Sequence, residues 1–159
     1  MKLMGSGAKR RLTAQIKDSL RELSSQLTLL NQQVGAQVDL RPADFECLEL
    51  INQYGPLSPT ALARRAGLHP ATLTGILDRL QRGGWITRER DPDAPDRRAV
   101  TLRARRDRNA EVYRLYAPMN TSLDEICDTY TEAELHLVAD FLTRTHTAAQ
   151  TATTPHPEP

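Results

Sequence analysis

The side chains best equipped for chemistry in this 159-residue chain are arginines, and they are bunched. Arginines outnumber lysines eighteen to three, and twelve of them fall between residues 58 and 108 beside only six acids. That stretch carries a local balance of +6, the remaining residues −5, and the whole chain +1. Positive charge confined to one module of a near-neutral chain is the footprint of a phosphate-bearing partner. The planar guanidinium fork suits phosphate oxygens and guanine edges, although a coding bias produces the same arginine excess.

Other chemistries find no foothold. No Ser/His/Asp constellation, P-loop or glycine-rich nucleotide fingerprint is visible, so no catalytic residue and no cofactor is expected. The four histidines, His69, His136, His146 and His156, stand at no metal-ligand spacing with one another or with the cysteines. Cys47 and Cys127 lie far apart in sequence and form neither a metal pair nor a disulfide framework. A thiol switch at either remains an alternative, but Glu46 and Glu49 beside Cys47 disfavour the thiolate that such a switch needs.

The elements that must hold the arginines can be read in order. Ser58-Pro59 offers an N-cap and a first-turn proline for a short helix, with Leu62 and Ala66 inward and Arg64 and Arg65 outward. Gly67 makes a tight turn into a second helix opened by His69-Pro70. Leu73, Ile76, Leu77 and Leu80 form its buried stripe at i, i+3, i+4 and i+7. Ala71, Gly75, Asp78 and Arg82 make its outward face, flanked by Thr72, Thr74 and Arg79, and Asp78 is spaced to pair with Arg82. Gly83-Gly84 stops the helix. Residues 85–90 then alternate as a strand, the Pro/Asp-rich run from Asp91 to Asp96 turns the chain, and Val100 and Leu102 mark the return strand. Helix, turn, helix and arginine-tipped hairpin describe a winged helix-turn-helix over residues 42–103, in a fold that is mainly α with a small β-hairpin.

The flanks read as association helices. Residues 1–11 look like a flexible arm. Residues 12–36 follow with Leu12, Ile16, Leu20, Leu23 and Leu27 on a narrow helical seam. Pro42 opens another helix, with Phe45, Leu48 and Ile51 inward. Residues 107–146 carry a stripe of Val112, Tyr116 and Leu123, a kinking Pro118, and a capping box at Thr131-Glu134 leading to Leu135, Val138 and Leu142. These seams are expected to bury one another in a homodimer, because a chain with only 39% hydrophobic and 4% aromatic residues covers long apolar stripes poorly alone. Residues 147–159 are expected to be a disordered tail. No run approaches 18 apolar residues and the first residues lack a signal-peptide core, so a soluble cytoplasmic protein is expected.

The order of elements, with HPATLTGILDRLQRGGWITRERDPDAPDRRAVTLR at its centre, closely resembles the MarR (multiple antibiotic resistance regulator) family of bacterial transcription factors. The most specific stretch is Leu80 to Arg98, and the resemblance covers roughly residues 12 to 146. It implies a two-fold dimer whose recognition helices enter successive major grooves of a pseudo-palindromic operator in double-stranded DNA. The candidate DNA-binding residues are Ser58, Thr60, Pro70, Ala71, Thr72, Thr74, Arg79, Arg82, Arg90, Asp96, Arg97 and Arg98. Arg98 matches the residue at the wing tip that enters a minor groove, and Asp96 the carboxylate that orients an arginine. The resemblance also implies a repressor relieved by a small-molecule effector bound between the dimerisation helices and the DNA-binding lobe, with the effector itself unknown. Two departures stand out. Gly75 replaces a larger polar residue common in the family, and arginines crowd residues 103 to 108, either as extra backbone contacts or as solvated charge. A rival reading of the basic module is a winged helix that binds an acidic protein rather than DNA.

Overall fold

The computed structural model describes residues 4–90, 92–96 and 99–153. Its elements are α1 (Met4–Gln37), α2 (Pro42–Tyr54), α3 (Pro59–Ala66), α4 (Pro70–Arg82), β1 (Ile86–Arg90), β2 (Val100–Ala104), α5 (Arg106–Asp128) and α6 (Glu132–Thr153). They fall into two compact units, residues 1–115 and residues 116–159.

The first unit is built around α2, α3, α4 and the hairpin. The helical stripe of α4 is buried in full: Leu73, Ile76, Leu77 and Leu80 join Phe45, Leu48, Ile51 and Leu62 in one core, with Trp85, Ile86 and Leu102 added from the hairpin. Strands β1 and β2 pair antiparallel from Ile86↔Ala104 to Arg90↔Val100. Leu57, just before α3, exchanges two backbone hydrogen bonds with Leu102 and so ties the α2–α3 connection to the hairpin.

Local chemistry sets the helix ends. Ser58 Oγ accepts the Ala61 amide at 3.1 Å to cap α3, and Gly67 closes that helix at φ 64°, a left-handed conformation that glycine adopts without a Cβ penalty. At α4 the cap is His69, whose Nδ1 accepts the Ala71 amide at 3.1 Å. Thr131 and Glu134 exchange reciprocal side-chain and backbone bonds ahead of α6.

Three expectations need correction. The supposed arm is helix from Met4 onward, because Ala8 to Leu12 are good helix formers and no proline interrupts them. The supposed tail stays helical to Thr153, where Thr147 and Thr151 return their hydroxyls to the carbonyls of Thr143 and Thr147; residues 154–159 lie outside the described residues. Val112, expected on a dimer seam, is fully buried within its own chain. Its helix begins inside the first unit, so the early turns of α5 serve that lobe's core.

Most of the other seam residues are left uncovered. In α1, Leu12, Ile16, Leu23 and Leu27 are exposed, and Leu20 is half-buried. In the second unit Leu123, Val138 and Leu142 are exposed, and α6 buries no residue. Tyr116 and Leu135 are half-buried. Among the described residues no helix is long and apolar enough to cross a membrane.

Candidate nucleic-acid interface

With one stripe of α4 in the core, the other face is left to solvent. Pro70, Ala71, Thr72 and Thr74 are exposed there and Gly75 is half-buried. The Thr74 hydroxyl donates to the Pro70 carbonyl at 3.0 Å, which leaves its methyl and an oxygen lone pair facing outward. The surface is small and smooth, and a second surface can approach it closely.

The arginines sort into those held by the fold and those left over. Arg79 is held: its Nε and Nη2 donate to the two carboxylate oxygens of buried Asp44, both at 2.8 Å. This pairing, and the hydrogen bond to Asp44 above all, raises the Arg79 pKa. Arg79 therefore serves as a strut between α4 and α2 before it can serve as a contact. A Cβ on Gly75 would stand 3.5 Å from the Arg79 Nη1, an ordinary van der Waals contact.

The expected Asp78–Arg82 pair does not form. Asp78 instead takes Arg88 of β1 at 2.8 Å, because the hairpin folds back against α4 and brings that guanidinium closer. Arg103 pairs with Glu89 across the hairpin at 3.2 Å. Arg105 pairs with Asp107 at 2.8 Å, and its hydrogen bond holds the Asp107 carboxyl below the usual range. Arg108 reaches Glu111 at 2.8 Å and lies over the Trp85 ring at 4.1 Å. Arg65 lies over the Tyr54 ring at 3.7 Å. Arg64, Arg82, Arg90 and Arg106 have no ion pair with another described residue. The crowd at 103 to 108 thus divides: three of its arginines brace the hairpin and the start of α5, and Arg106 makes no ion pair with another described residue.

Of the remaining candidates, Ser58 uses its hydroxyl oxygen as the α3 cap, and Thr60 and Asp96 are exposed. Arg97 and Arg98 lie outside the described residues. Sequence reasoning missed two groups that shape the face. Asp44 stands in the first turn of α2, and nothing local marks it as the anchor of Arg79. His69 was visible as the residue before Pro70, in the N-cap position, and its imidazole acceptor was the available signal.

Two features behind this face complete the lobe. A polar thread crosses it: Asn52 Nδ2 donates to Glu49 Oε1 and to Asn109 Oδ1, both at 3.1 Å, and buried Asn109 donates to the carbonyls of Trp85 (3.0 Å) and Arg105 (2.7 Å). Beside it, between α1 and α2, lies a cavity of about 320 Å³ walled by Gly35, Ala36, Leu40, Pro42 and Phe45, with Glu46 and Glu49 among its polar residues. Cys47 is buried nearby; burial first, then Glu46 and Asp44, push its thiol up to about 11. That thiol is kept protonated and is a poor redox nucleophile.

Comparison with known proteins agrees with this architecture. Residues 40–100 match the model of the MarR family. A relative, the HTH-type transcriptional regulator YcgE of Bacillus subtilis, is 30% identical over 122 residues, covering 77% of this chain and 78% of that protein. The HTH-type transcriptional repressor YetL of the same organism is 25% identical over 126 residues, 78% and 74% of the two chains. A crystallised MarR family protein from Bacillus stearothermophilus superposes with a TM-score of 0.65 at 19% identity, over 89% of this chain and 97% of that one. With a recognition helix presented outward, an arginine-braced wing and these relatives, the chain belongs to the MarR family of winged helix-turn-helix, DNA-binding transcription regulators.

Proposed function

We propose that the protein acts in the cytoplasm as a homodimeric, sequence-specific repressor. In this reading α4 enters the major groove of each half of a pseudo-palindromic operator, the wing with Asp96, Arg97 and Arg98 lies along the flanking minor groove, and a small molecule in the α1–α2 cavity releases the DNA. The observation that carries the DNA-binding part is the bare outward face of α4, with Arg82 on that helix and Arg64 on neighbouring α3 making no ion pair with another described residue. Ser58, Thr60 and Arg90 lie on the elements bordering that face and supply further polar contacts. The uncovered leucines of α1 and the uncovered apolar residues of α6 support the homodimer, since contiguous exposed apolar stripes mark association surfaces. The repressor named among the relatives supports the sign of regulation. Two-fold symmetry sets the half-sites roughly one helical turn apart.

Gel-shift titration with operator selected from random duplexes, repeated across ionic strength, tests this. Affinity should fall steeply with salt, because each neutralised phosphate releases counterions. Arg82→Ala should flatten the salt slope by about one unit per lost phosphate contact. Absence of any duplex complex at low salt would overturn the reading in favour of a module that binds an acidic protein.

A further inference from the structure

We propose that the cavity between α1 and α2 takes a small lipophilic cation, an ammonium carried on one or two apolar rings, with Glu49 as its counter-ion. This rests on the effector reading above and adds to it the charge and size of the ligand.

Size comes first. A volume of about 320 Å³ stands at the low end of small-molecule sites, which run from roughly 300 to 1,000 Å³. One or two rings fill it. Leu40, Pro42 and Phe45 supply the apolar contact. The wall is firm, since a Cβ on Gly35 would meet the Phe45 ring carbon Cγ at 3.1 Å, so α1 and α2 already stand in close contact there.

Charge comes next. The cavity's ionisable residues are Glu46 and Glu49; no lysine, arginine or histidine lines it. Glu46 is exposed and meets water, whereas Glu49 is half-buried. Burial raises the Glu49 pKa, and the hydrogen bond from Asn52 offsets this only in part. A carboxylate in that condition is short of positive charge. An ammonium group supplies it in surroundings less polar than water, where opposite charges attract more strongly. A carboxylate ligand would meet like charge at the same place, and a neutral one would gain the apolar contact alone.

The Glu49 position also has a route outward. The Asn52 amide is held only through its two donated bonds, to Glu49 and to Asn109, and its Oδ1 is buried with no hydrogen-bond partner. Glu49 accepts from Asn52 best when ionised. A bound cation keeps it so, and the next group along is Asn109, on the carbonyl of Trp85 at the start of the wing.

Three isosteric probes separate the possibilities on the full-length protein: 2-naphthylmethylamine, 2-naphthylmethanol and 2-naphthoate. Calorimetry should show the amine binding about tenfold or more tightly than the alcohol, the worth of one ion pair in such a setting, with the naphthoate weakest. Glu49→Gln should bring the amine down to the alcohol's affinity and leave the alcohol unchanged. Acidification should weaken the amine alone, beginning at a higher pH than an ordinary glutamate would give, because the probe stays charged while Glu49, whose pKa is raised by burial, takes up its proton. Thr28→Trp, which puts an indole on the lining of the cavity, should abolish binding of all three. If the alcohol or naphthoate equals the amine, or Glu49→Gln leaves the preference intact, the cation assignment is overturned and the effector reading stands. If the amine binds with the expected preference but leaves duplex affinity unchanged, the cation site is supported and the effector reading fails. If none of the three binds, both fall.

Discussion

Arg79 grips Asp44 through two 2.8 Å hydrogen bonds, joining the recognition helix to a residue 35 positions earlier. The two ends differ in burial. The Asp44 side chain is 3% exposed and that of Arg79 38%. Removing the arginine leaves a buried carboxylate without a partner, whereas removing the aspartate frees a guanidinium that can turn to water. Arg79→Ala should therefore lower the melting temperature more than Asp44→Ala, and the double variant should be no worse than Arg79→Ala. Thermal unfolding of the three variants measures this; equal losses would mean the pair acts as a surface contact.

Two glycines should respond to alanine for different reasons. Gly67 has φ 64° with open space around a Cβ, so Gly67→Ala carries only the backbone cost, about 1–2 kcal/mol. Gly83 has an ordinary φ of −74°, but its Cβ would stand 2.8 Å from Trp85 Cδ1. Trp85 is the only tryptophan of the chain. Gly83→Ala should shift its emission spectrum, and Gly67→Ala should not.

Cys47 should be inert in the folded protein. With its thiol pushed from 9.0 to about 11, it should react with a disulfide reagent far more slowly than Cys127, and denaturant should abolish the difference. The sign for stability follows from the folded protein holding the proton more tightly. That contribution is complete below pH 9.0 and is lost as pH rises towards 11. Cys47→Ala should flatten the alkaline loss of stability over that window. Peroxide-induced release of DNA that disappears in Cys47→Ala would restore the thiol-switch alternative.

Association and lobe stability should separate by mutation. Leu23→Glu with Leu27→Glu places charge on the exposed seam of α1 and should give monomers by light scattering with the lobe still folded. Val112→Ala should leave the mass unchanged and reduce stability by about 2 kcal/mol, since that side chain is wholly buried. Loss of mass in the Val112 variant would return that residue to the interface.

How much was legible in the sequence depends on distance along the chain. The stripe at Leu73, Ile76, Leu77 and Leu80, the Ser58-Pro59 start and the Thr131–Glu134 box are local patterns, and the fold uses each as its spacing suggests. Pairings between elements were not legible. Asp78 had a plausible partner four residues on in Arg82, yet Arg88 took it once the hairpin folded back. Asp44 gave no sign of its attachment to Arg79, because periodicity carries no information about which acid a distant helix will meet. Val112 belonged to a stripe that reads as one seam, and only the packing of α5's first turns into the lobe divides it. At the helix ends, Lys9 to Arg11 and Thr147 to Thr153 are polar enough to read as loose ends, yet no proline interrupts either stretch and the helices run through them.

A recognition face as bare as that of α4 carries little information. Ala71 and Gly75 offer no hydrogen-bonding side chain, the Thr74 proton is taken by Pro70, and Arg79 is committed to Asp44. Two-bond matches to a base edge, worth about 1–3 kcal/mol of discrimination each, have few candidates on such a surface. In the proposed dimer each half-site would then be a short message, and a genome holds many near-copies of a short message. Selectivity among genes would fall to whatever multiplies short messages: two of them read together at a fixed spacing, and a cellular concentration low enough that single matches go unoccupied.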